Sequence, residues 1–191
     1  MPERLQIAEI SLPQDLKAFL VRARINTFAS GAEPIPSASS PGAKLFRYFE
    51  QKMPYIYLDE YHTHTQKPGV FSGAEMVRRE REDGPRLFRY SYDGALTAEG
   101  LQLGETVVFG MLKGALRGKA AVVRLGNRVM FDIDSAICGE QSPLWQYEGY
   151  GTAKPWGWQD IERIVHNQVL VYEFVGQGIP LRPGISEVNF S

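Results

Sequence analysis

Apolar positions recur along the chain at two spacings, and the switches between them mark out its elements. From Leu16 onward, Leu16, Phe19, Leu20, Ala23 and Thr27 return at helical spacing. That stripe predicts a helix over about 13–28, with Ser11, Pro13 and Asp15 supplying the cap and first turn. The helix ends before Ser30-Gly31. Residues 30–44, SGAEPIPSASSPGAK, read as a loop that is long for a compact domain. From Leu45 to Tyr92 the period becomes two. Tyr55, Tyr57, Asp59 and Tyr61 share one parity, and Ile56, Leu58 and Glu60 the other. Phe71, Gly73, Glu75 and Val77 form the next set, then Phe88, Tyr90 and Tyr92. Turn signals at Lys67-Pro68-Gly69 and Asp83-Gly84-Pro85 separate them, as in an antiparallel meander. A second helix is predicted over about 104–117 from Val108, Met111, Leu112 and Ala115, with Gly118 as its C-cap. Strand signals then resume at AAVVRL (120–125), at VMFDI after a Gly126-Asn127 turn, and at LWQYEGY, GWQDIERIV and VLVYEFV. The last pair is joined at His166-Asn167-Gln168.

The order helix, four strands, helix, four strands suggests an internal repeat. FLVRAR at 19–24 resembles MLKGALR at 111–117, FSGAEMV at 71–77 matches WQDIERI at 158–164, and FRYSYDG at 88–94 matches LVYEFVG at 170–176. The offset between matching segments shrinks along the chain, as shorter loops in the second half require. The expected fold is α+β: a mainly antiparallel sheet built from two similar αββββ halves, about 12–96 and 104–180, with helices packed on the sheet. Residues 1–191 form a single domain ending in a tail at 181–191. A groove between the halves is the natural ligand site.

Composition narrows the partners. Basic and acidic residues number 21 and 22, a net charge of −1, so nothing in the charge balance favours a phosphate backbone. Arg78, Arg79 and Arg81 alternate with Glu80, Glu82 and Asp83, the pattern of a solvated turn. The single cysteine, Cys138, forms no internal disulfide and points to a reducing compartment. Its acidic surroundings, DIDSAICGEQS, disfavour a thiolate, so it is read as inert. No apolar run reaches the length of a membrane span, and MPERLQIAEIS lacks a secretory stretch. The expectation is a soluble, cytoplasmic protein with no membrane and no nucleic-acid partner. The oligomeric state is left open.

The densest candidate chemistry lies in YLDEYHTHTQKPGVFSGAEMV, residues 57–77. His62 and His64 have equal parity, and Asp59 or Glu60 would add a carboxylate to a metal site. HExxH and cysteine clusters are absent and the setting is a polar turn, so no metal and no cofactor is assigned. Asp59 with Glu75 is the pair a hydrolase would use. A serine nucleophile lacks its GxSxG context. The reading that uses most of the sequence is a binding surface. Tyr57, Asp59 and Tyr61, Phe71 and Glu75, and Tyr90 and Tyr92 occupy one face of successive strands, and Trp156, Trp158 and Glu162 offer the same chemistry from the second half. Aromatic faces with desolvated carboxylates attract organic cations. The plain alternative is half-buried sheet residues, with Glu75 and Glu162 paired to Arg89 or Arg163. The expected activity is non-catalytic binding of a small molecule. The rivals are a hydrolase and an interaction module using an exposed sheet edge.

FLVRARINTFA (19–29), SPGAKLFRY (40–48), YIYLDEY (55–61), FSGAEMV (71–77), YSYDG (90–94) and VYEFVGQGI (171–179) together resemble an uncharacterised bacterial domain family. Its members occur alone or behind Xre-type helix-turn-helix domains. The resemblance spans nearly the whole chain and implies a sensor or ligand-binding role, with no assigned reaction. The duplicated plan is also similar in architecture to gyrase-inhibitor-like effector-binding modules, which use a comparable pocket.

Overall fold

A computed structural model of the chain describes residues 12–121, 123–133 and 145–181. The first helix, α1 (Gln14–Asn26), buries Leu16, Phe19, Leu20 and Ala23, the stripe its spacing predicts, and adds Arg24 to that face. It runs into a short 3₁₀ helix, Phe28–Ser30. The expected cap at Ser11 and the cysteine at 138 lie outside the described residues.

Among the described residues nine strands follow the alternation: β1 (Ile35–Pro36), β2 (Lys44–Phe49), β3 (Tyr55–Thr63), β4 (Val70–Arg79), β5 (Arg86–Leu96), β6 (Arg128–Asp132), β7 (Trp145–Lys154), β8 (Gly157–His166) and β9 (Val169–Pro180). They form one antiparallel sheet in the order β1-β2-β3-β4-β5-β9-β8-β7-β6. The chain thus builds one flank outside-in as far as β5, crosses to the far edge, and returns inward to close on β5 through β9. Ladder irregularities occur at Val77/Arg78 in β4 and at Ile164/Val165 in β8.

Two helices, α2 (Ala98–Leu103) and α3 (Glu105–Lys119), make the crossing. Helix begins earlier than the apolar stripe alone predicts because the Thr97 hydroxyl accepts from the Gly100 amide at 3.1 Å and caps α2. Gly118 is not a cap: α3 continues through Lys119 and ends at Ala120, which is right-handed. The expected strand at 120–125 is absent from its described part, which forms turns. There Arg124 adopts a left-handed φ of 56°. The carbonyls of Val123 and Arg124, which a strand would give to a ladder, accept instead from Arg24 Nη1 at 3.5 and 3.1 Å. The long loop at 30–44 contains β1, whose two residues pair with Leu45 and Lys44.

α1 and α3 cover one face of the sheet. Phe19 packs on Tyr48 and Tyr55, and Phe109 of α3 on Phe71 and Tyr172. Beneath them Tyr57, Val77, Phe88, Tyr147, Ile164, Tyr172 and Phe174 are buried. At about 25 cal/mol per Å² of apolar area, this layer supplies most of the drive to fold. None of the helices among the described residues is long and apolar enough to cross a membrane.

Candidate ligand-binding site

The buried face of the sheet carries charge as well as rings. Among the described residues the buried ionisable acids and bases are Asp59, Glu75, Asp160 and Glu162 against Arg24 and Arg124. Glu75 stands opposite Asp59 in the β3–β4 ladder. Its Oε2 accepts from Arg24 Nε and Nη2 at 2.9 and 2.7 Å. Glu162 is clasped by Arg124, Nε to Oε1 at 2.8 Å and Nη2 to Oε2 at 3.0 Å. Arg124 Nη1 lies 4.0 Å from Glu75 Oε1, so the two pairs join into an acid–base chain. The guanidiniums also sit over Tyr90 and Phe174, at 5.3 and 4.1 Å from the ring centroids. The plain alternative reading pairs the glutamates with arginines, as is found, but names Arg89 or Arg163 as the partners. Strand parity places both of those arginines on the other face, where Arg163 pairs with Glu173 at 2.9 Å and Arg89 is in register with Met76.

Four carboxyls against two guanidiniums leave two acids without a counter-charge, Asp59 and Asp160. Neighbouring tyrosines of β5 reach one each. Tyr92 extends over Gly73 of β4, and its hydroxyl donates to Asp59 Oδ1 on β3 at 2.6 Å. Tyr90 extends over Gly176 of β9, and its hydroxyl donates to Asp160 Oδ2 on β8 at 3.1 Å. A Cβ at Gly73 would stand 2.7 Å from the Tyr92 hydroxyl, and one at Gly176 would run into Tyr90, so both crossings require glycine.

The two aspartates differ in what else they receive. Asp160 accepts from Trp158 Nε1 at 2.9 Å and from the Gly126 amide at 3.0 Å. No further hydrogen bond and no ion pair from the described residues reaches the Asp59 carboxyl. Burial first, and the Glu75 carboxylate second, push the Asp59 carboxyl up to about 7; the Tyr92 hydrogen bond and the two arginines only partly offset this. Burial and Glu162 raise Asp160 to about 6 against the opposing pull of its donors. Burial also lifts the phenols of Tyr57, Tyr90 and Tyr92 well above their usual value, so they stay neutral.

Asp59, only 5% exposed, lines a cavity of about 490 Å³. Phe28, Tyr61, Phe71, Tyr92 and Phe109 supply its aromatic walls, and Glu105, Lys113, Arg124, His64, Thr63 and Thr65 its other charged or polar groups. A void of about 20 Å³ below it touches Arg24, Tyr57 and Glu75. Of the residues singled out from sequence, Asp59, Tyr61, Phe71 and Tyr92 thus line one cavity, with Tyr57 and Glu75 beneath. Tyr90, Trp158 and Glu162 are buried away from its walls, and Trp156 is 41% exposed in the β7–β8 turn. The histidines part company: His62 shares a 3.1 Å hydrogen bond with Ser40, while His64, beyond the end of β3, borders the cavity. Among the described residues no cluster of three or more potential ligands could hold a metal.

Sequence reasoning missed Arg24, Arg124 and Asp160, and the cavity residues Phe28, Phe109 and Lys113. Arg24 and Asp160 left a signal: Arg24 is four residues after Leu20 on the buried stripe, and Asp160 shares parity with Trp158 and Glu162. No family model, curated protein or solved structure matches the chain.

Proposed function

We propose that the protein binds a small organic cation, without chemical change, in the cavity floored by Asp59, and that it acts as a sensor-like domain. One observation carries this reading: a buried carboxyl with no cationic partner faces a cavity of ligand size walled by five aromatic rings. A monocation there supplies the missing counter-charge, and the rings add cation–π attraction of about 0.5–2 kcal/mol. Lys113 does not fill that role, because its ammonium stands over Phe28, 5.2 Å from the centroid. Arg124 is committed to Glu162.

The reading includes an origin for the sheet. We take the two flanks as halves of one duplicated αββββ unit. Strand order reads alike from either edge inward, apart from the two-residue β1. Glu75 and Glu162 sit on the second strand from the centre, each two residues before the last residue ahead of a ladder irregularity. Tyr57–Val77–Phe88 and Tyr147–Ile164–Tyr172 are matching cross-strand rows.

A hydrolase reading has one observation in its favour, an Asp59 carboxyl titrating near neutrality. Its second carboxylate, Glu75, is held by Arg24 rather than facing the cavity.

A thermal-shift screen of organic cations tests the proposal. A binder at a hundred times its Kd stabilises by about 2.7 kcal/mol. At least one monovalent cation is expected to raise Tm in the parent and not in Asp59→Asn. Gains that persist in Asp59→Asn, or no gain from any cation, would overturn it.

A further inference from the structure

The protein already contains an occupied version of this kind of site, on the other flank. Asp160 is the second buried carboxyl without a cation, and what it receives in place of one is the indole of Trp158. The ring lies over Gly178 and stacks on Phe88, with centroids 5.7 Å apart and planes 17° apart. Its N–H donates to Asp160 Oδ2 at 2.9 Å, and the same oxygen accepts from Tyr90. Asp59 has the tyrosine but not the ring: Tyr92 donates to Oδ1, and beyond lies the cavity. Phe71, at the edge of that space, lies over Gly94 much as Trp158 lies over Gly178, but it has no donor to offer.

Resting on the reading of the cavity as a cation site, we propose that the cavity takes a flat nitrogen base whose ring N–H or amino N–H donates to Asp59, as Trp158 donates to Asp160. The class is an amino-substituted heteroaromatic or aryl amidine carrying one positive charge, as distinct from a quaternary or aliphatic ammonium. Two features select it. Rings wall the space, and a flat body covers them better than a spherical cation does. Asp59 also has a free oxygen acceptor, which an N–H donor satisfies and a quaternary nitrogen leaves bare.

Titration calorimetry with three probes separates these features: aminoacridine (flat, cationic, with N–H donors), acridine (flat, neutral at pH 8, without an N–H) and tetraethylammonium (cationic, neither flat nor a donor). Aminoacridine is expected to bind most tightly. Asp59→Asn should weaken it by roughly 30-fold or more, the loss expected when one partner of a buried charge pair is removed, and should leave acridine unchanged. In the unmodified protein, NMR shift changes on adding aminoacridine should centre on Tyr61, Phe71 and Tyr92, a readout independent of how well the variant folds. Tetraethylammonium binding as tightly as aminoacridine, with the same dependence on Asp59, would overturn the flat-base inference and leave the cation site standing. Equal binding of acridine and aminoacridine, or shift changes centred away from the cavity, would overturn both.

Discussion

The flanks of the sheet on either side of β5 and β9 meet the same electrostatic problem and resolve it differently. Each buries an arginine–glutamate pair and a further aspartate, and each aspartate receives a tyrosine hydroxyl that crosses a glycine. On the β8 side the aspartate is enclosed by an indole N–H and a backbone amide. On the β3 side it opens onto the cavity. One acid is bonded on both oxygens and serves the fold. The other keeps a free oxygen at some cost to the fold, and that is the one that lines the cavity.

Breaking the shared part should have the largest effect. Arg24→Met strands Glu75 in the interior and is expected to cost about 3–5 kcal/mol in urea unfolding. Arg22→Met, which breaks a half-exposed pair with Glu50, should cost less than about 1 kcal/mol.

The aspartates should then part in sign. Asp160→Asn turns an amide NH₂ toward donors that need an acceptor, and should destabilise by about 1–3 kcal/mol. Asp59→Asn keeps one acceptor for Tyr92 and removes a buried, uncompensated charge. At pH 8 it should leave stability unchanged or raise it.

A pH series sharpens the same contrast. Asp59 moves from an ordinary 3.8 up to about 7 in the folded state. Between those values the folded protein holds more protons than the unfolded chain. Its contribution to stability is therefore greatest below pH 4, falls as pH rises through 7, and is constant above. Asp160 acts in the same direction up to about 6. The loss in Tm from pH 5 to pH 8 should be smaller in Asp59→Asn than in the parent. The smallest effect is expected at Trp156, exposed in a turn, where alanine should change stability by no more than about 0.5 kcal/mol.

Local periodicity made the sheet legible. Tyr57, Asp59 and Tyr61 alternate against Ile56, Leu58 and Glu60, and the structure keeps that parity across β3, β4 and β5. The same rule found four of the cavity residues. It failed where the partner arrives from a distance. Phe109 and Lys113 come from a helix whose placement over β4 no local pattern encodes. The run around Arg124 is apolar enough to pass for a strand, yet it forms a left-handed turn at Arg124, tied to Arg24 and Glu162. Trp156 and Trp158 looked equivalent in sequence, yet one residue lies in a turn and the other enters the interior. Glu75 and Glu162 drew attention as acids, but their charge is consumed by Arg24 and Arg124. Pairing across the fold, invisible to spacing, decides which acid remains free.

The most direct test is to follow the Asp59 side-chain carboxyl carbon by NMR across pH, alone and with saturating aminoacridine. The account predicts a midpoint of about 7 in the free protein and a clear downward displacement once the cation is bound. A midpoint near the ordinary 3.8 in the free protein, or one that the cation leaves unmoved, would contradict it.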